Sequence, residues 1–154
     1  MVALVRILRT RWRSTCGAEF VEFALAFPLL MLVVMGIMDF GLMFQQYEVI
    51  TNAAREGARI GVLPNYGTAD AEARVDDYMN ASFISQGGAW TRAAVFGNVP
   101  LSGGGCVSAI TVSVFYPHQY LFLGGIGSYF GSSFGSKTLS ASSTMRVEVP
   151  APGC

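Results

Sequence analysis

The chain has little of what chemistry usually needs. It holds one histidine, His118, and three cysteines, too few and too scattered for a zinc-type metal site. No metal or other cofactor is expected. Charge is scarce too: 13% of residues are Asp, Glu, Lys or Arg, against 52% hydrophobic, a balance foreign to an ordinary soluble domain. A basic surface is also missing, since residues 18–154 carry six basic and ten acidic groups, which argues against a nucleic-acid partner. One catalytic spelling occurs, Gly131-Ser132-Ser133-Phe134-Gly135. A nucleophile elbow of that form needs a strand before it, a helix after it and a later histidine. Here His118 comes earlier and the segment is too rich in glycine for a rigid turn, so the chain is not expected to be an enzyme.

What the sequence does have is one long apolar run. Phe23 to Phe44 are 22 residues with a single charge, Asp39, and as a helix they reach about 33 Å, enough for a hydrocarbon core of about 30 Å. Arg6, Arg9, Arg11 and Arg13 precede it and hold that end in the cytoplasm, leaving the rest of the chain exported. No small-residue cleavage site follows Phe44 closely, so the span is expected to be retained. Glu19 and Glu22 stand where hydrocarbon begins. One reading is that they are stabilised by the positive end of the helix dipole.

The helical pattern continues past the membrane, giving one helix over about 18–62 with a kink at Pro28. Ala53, Gly57 and Gly61 recur every four positions and would let another helix or sheet approach closely, between subunits in particular. Arg55 and Arg59 share a face, either solvated or in a specific contact. A second helix is expected over Thr68–Gln86, with Ala71, Val75, Tyr78, Met79 and Phe83 toward the core. Two alternating stretches follow, one with Ile110, Val112, Val114 and Tyr116, the other with Leu139, Ala141, Ser143, Met145, Val147 and Val149, and they should pair antiparallel. A short strand near Ala93–Phe96 is undecided. The fold class is α+β: a long N-terminal helix, then a small exported domain over 63–154 with a helix and an antiparallel sheet. Residues 118–137 form a glycine- and aromatic-rich loop, read either as a cap on the sheet or helix or as a contact with a subunit or membrane surface. Cys106 and Cys154 fall in the exported part and either pair or stay free; pairing would close a loop worth roughly 4 kcal/mol.

With catalysis unsupported, the pattern GAEFVEF at 17–23 comes forward. Together with ALAFPLL in the span, DFG at 39–41, NAAREGAR at 52–59 and the closing MRVE, it resembles the TadE-like family of minor pilins or pseudopilins of the Tad (Flp) pilus. The resemblance implies a pilin-like protein cut by a prepilin peptidase between Gly17 and Ala18, with the basic leader 1–17 and Cys16 discarded. Glu22, followed by Phe23, would then lie near the new amine of Ala18 and attract it strongly at a low-dielectric interface. Implied partners are the peptidase, other pilins or pseudopilins, inner-membrane assembly proteins and the lipid bilayer. Phe23 stands where major Flp pilins usually carry Tyr, and the folded exported domain is absent from them, which points to a minor component. The competing reading is an uncleaved signal anchor whose outer domain binds or regulates an envelope machinery.

Overall fold

The computed structural model describes residues 15–86, 89–129, 131 and 135–147. The basic leader to Ser14, Ser132 to Phe134 and Cys154 lie outside them. Helix α1 spans Thr15–Gly61 and passes through Pro28 without interruption. With that start, neither Glu19 nor Glu22 stands in its first described turn, so the dipole reading of those carboxylates loses its basis there. Helix α2 spans Thr68–Ala81. Its Asp70 carboxylate accepts the N–H of Gly67 at 2.8 Å, satisfying a donor at the helix start that has no partner within the helix.

Helix α2 is shorter than the sequence suggests. Ser82 has extended backbone, and its N–H and hydroxyl both donate to the Met79 carbonyl, at 3.1 and 2.6 Å. That closes the helix, and Phe83–Gln86 form a separate 3-10 turn. Phe83, expected in the buried stripe, is therefore turned outward and exposed, while Ala71, Val75 and Met79 are buried as their spacing implies.

Three strands follow: β1 at Thr91–Pro100, β2 at Cys106–Gln119 and β3 at Ser136–Arg146. They make one antiparallel sheet in the order β1-β2-β3. In β2 the alternating Ile110, Val112, Val114, Tyr116 and His118 are buried against the helices. β3 places Leu139 and Ala141 on the same face and pairs Met145 with Ile110 and Leu139 with Tyr116. The undecided stretch at Ala93–Phe96 is the middle of a ten-residue edge strand. Of its residues only Ala94 is buried, so no apolar alternation marks it.

Helix α1 packs on β2 and β3, and α2 lies against α1 and β1. The outer part of α1, with Ile50, Ala53, Ala54 and Ala58, shares one apolar core with Val75, Met79, Ile110, Val112 and Val114. A short helix α3, Leu123–Tyr129, lies in the connection from β2 to β3. The fold is thus α+β, a small head built onto the distal part of one long helix.

Candidate functional site: the bare helix and the Asp39 clasp

Below Asp39 the helix has no covering. Phe20, Phe23, Leu25, Leu29, Leu30 and Ile37 are all more than half exposed, and α1 is long and apolar enough to cross a membrane. Gly17, Ala18, Glu22 and Phe23 lie in this bare segment, on continuous helix and exposed. The ring of Phe23 leans on Phe27 with centroids 5.4 Å apart.

At Asp39 the head begins. This carboxylate is 0% exposed and is enclosed by the chain leaving β2. Its Oδ1 accepts the backbone N–H of Leu121 at 3.0 Å and of Phe122 at 3.2 Å, and its Oδ2 those of Phe122 at 3.0 Å and Leu123 at 2.7 Å. Three successive amides pointing at one anion form a nest, which supplies the hydrogen bonds that water would otherwise give. About two turns further out, Gln46 Oε1 accepts from His118 Nδ1 at 2.6 Å, and the His118 ring meets Tyr120 edge-on at 4.8 Å. His118 is 1% exposed and its Nε2 has no hydrogen-bond partner among the described residues. Desolvation pushes its pKa below the ordinary histidine value, and the Asp39 charge partly opposes this.

The small-residue face lies higher on α1. Ala53, Gly57 and Gly61 are all buried. A Cβ on Gly57 would stand 2.6 Å from Val75 Cγ2 and 2.9 Å from the Ala71 carbonyl oxygen. One on Gly61 would collide with Ile110 Cδ1. The close approach expected from the spacing therefore occurs within the chain, where α2 and β2 occupy the face that the sequence suggested for a neighbouring subunit. Arg55 and Arg59 remain exposed, while Glu56 faces Arg74 at 3.8 Å. Cys106 opens β2; its expected partner Cys154 lies outside the described residues.

Asp39 is the residue that pattern reading passed over. Its signal was available, because a lone carboxylate inside an apolar helix calls for a partner. The amides that satisfy it come from a loop more than eighty positions away, which no local pattern reveals.

One long apolar helix with an α+β head on its outer part defines a protein with one candidate membrane helix among the described residues, and its bare segment fits a membrane anchor. Residues 17–59 match the model of the family described as TadE-like protein, so this segment of the chain is TadE-like. The match covers most of α1 and none of α2 or the sheet. The match suggests a protein associated with the Tad pilus. No curated protein and no solved structure matches the chain.

Proposed function

We propose that the chain is a minor pilin or pseudopilin that supports assembly of the Tad pilus. In this reading residues 1–17 are a cytoplasmic leader, the helix is the inner-membrane anchor and the head is exported. A prepilin peptidase removes the leader after Gly17. A residue without a side chain leaves the scissile backbone most accessible at that point. The new amine at Ala18 then pairs with Glu22 of the same subunit or a neighbour, which offsets the cost of a carboxylate in lipid. The partners are the peptidase, other pilins or pseudopilins and inner-membrane assembly proteins.

The observation that carries this reading is the family match, which begins at Gly17 and runs through the bare helix to Arg59. Intact-mass measurement of the protein from cells containing the peptidase tests it. A mature chain starting at Ala18 is expected, and Gly17→Leu should yield only the form that keeps its leader. An unprocessed Met1–Cys154 chain as the working form overturns the reading in favour of the uncleaved anchor.

A further inference from the structure

The head and α1 run in opposite senses along each other. Going outward on α1, Asp39 meets Leu121, Gln46 meets His118, and Gly61 lies against Ile110. β2 therefore descends toward the bare helix, and residues 121–123, which follow it, lie level with Asp39 at the lower end of the head. This connection is chemically unlike the rest. Residues 118–137 contain no Asp, Glu or Arg, and their only cation besides His118 is Lys137, the single lysine of the chain. Lys137 sits opposite His118 in the sheet register and is exposed. Tyr120 and Phe122 are half-buried, and Leu121 is 67% exposed. On α1, Phe40 and Phe44 are exposed just above Asp39.

We propose that this end of the head rests on the outer surface of the lipid bilayer, with Leu121 in the boundary between headgroups and acyl chains and Lys137 among the headgroups. The proposal rests on the membrane-anchor part of the function proposed above. Length is the first argument. Ala18 to Met38 is 21 residues, about 32 Å of helix, which fills a hydrocarbon core of about 30 Å. Asp39 then emerges as the core ends. A span reaching to Phe44 would carry the 121–123 backbone into hydrocarbon, where irregular lipid-facing chain is not tolerated.

Composition is the second argument. Tyr120 and Lys137 are of the kinds that favour the interface, tyrosine at the headgroup level and lysine through attraction to anionic headgroups. Leu and Phe bury into the boundary between headgroups and acyl chains. Phe40 to Phe44 rises about 6 Å, so both rings fall within the headgroup layer. The Asp39 clasp fits the same place. It hides a carboxylate from lipid and ties the loop to the helix at a fixed height, so that the head cannot slide along its anchor.

Depth-dependent quenching tests this in the full chain reconstituted in phosphatidylethanolamine–phosphatidylglycerol vesicles, with bromine on the acyl chains either near the headgroup or near the bilayer centre. In a Trp12→Phe, Trp90→Phe background, tryptophan is placed singly at Leu121, at Leu32 and at Tyr66. Leu121→Trp should lose most of its emission to shallow bromine, Leu32→Trp to deep bromine, and Tyr66→Trp to neither. Tyr120→Trp repeats the measurement one position away, and thermal melts confirm that each head is folded. Quenching at Leu32→Trp with none at Leu121→Trp or Tyr120→Trp overturns the proposal and leaves the loop to a neighbouring subunit. No quenching at Leu32→Trp overturns the membrane anchor itself.

Discussion

The Asp39 carboxylate accepts the N–H of Leu123 at 2.7 Å although the two residues are 84 positions apart. With Leu121 and Phe122 it thereby fastens the lower end of the sheet to the anchoring helix. Asp39→Ala leaves three part-buried amides without that acceptor and should destabilise the head by about 2–5 kcal/mol. Asp39→Asn keeps one acceptor oxygen and should cost less. Denaturant titration in detergent micelles gives the ranking, and hydrogen exchange should speed up first at residues 121–123.

Gly57 lies in a close approach of α1 to α2. A methyl group there meets the Ala71 carbonyl, which is backbone and does not swing aside. Gly57→Ala should lower stability by about 1–3 kcal/mol, and Gly57→Leu should disrupt docking of α2. Arg59→Ala, on the exposed side, should leave the melting temperature close to that of the parent chain. The effect should appear in the isolated subunit. If Gly57→Leu melts normally alone and fails only on assembly, the contact that matters is between subunits.

His118 makes the head sensitive to acid. With Nδ1 donating to Gln46, protonation would place a second N–H at the buried Nε2, which has no acceptor among the described residues. The folded state therefore favours the neutral ring, and its pKa is lowered. Stability from this group is fully present above the ordinary histidine value of about 6.5 and is lost as pH falls through the lower folded pKa. Thermal melts should drop between neutral pH and pH about 5, and His118→Gln should flatten that part of the profile.

The architecture was largely legible because α1, α2, β2 and β3 each carry their own period. β1 was not, since an edge strand with one buried side chain has no alternation to read. Phe83 misled because helical spacing continued past Ser82, whose bonds to Met79 end the helix. At the site, the spacing of Ala53, Gly57 and Gly61 announced a close approach without saying to what. Asp39 announced a buried charge without its partner. In both cases the missing half is a tertiary contact, fixed by how α2, β2 and the chain after β2 fold back on α1 rather than by neighbours in sequence.

The head should be closed by a Cys106–Cys154 disulfide. Cys106 begins β2, and a bond there would tie down the chain after β3, whose last residue Arg146 pairs with Ala109 near the same end of β2. Mass analysis after alkylation without reduction should show no modification at either cysteine. Two alkylated thiols would remove the bond. Cys106→Ser together with Cys154→Ser should lower stability by about 2–4 kcal/mol.

Glu22 and Gly17 should fail in different ways. A bulky residue at Gly17 hinders access to the scissile peptide, so the leader stays on and the chain still inserts through its arginines and span. Glu22→Ala leaves that peptide unchanged, and cutting should persist at least in part. What it removes, on the function proposed above, is the carboxylate that would pair with the Ala18 amine. With the span at 18–38, Glu22 lies about 6 Å inside the core edge, where an unpaired charge is costly and a paired one is attracted strongly. Assembly into the pilus complex should therefore be lost while the mature mass is kept, and Glu22→Asp, with the same charge on a shorter side chain, should recover part of it. Co-purification of the Glu22 variants with other pilus subunits, read beside their intact masses, separates the two defects. If Glu22→Ala assembles like the parent chain, the amine has no need of this partner.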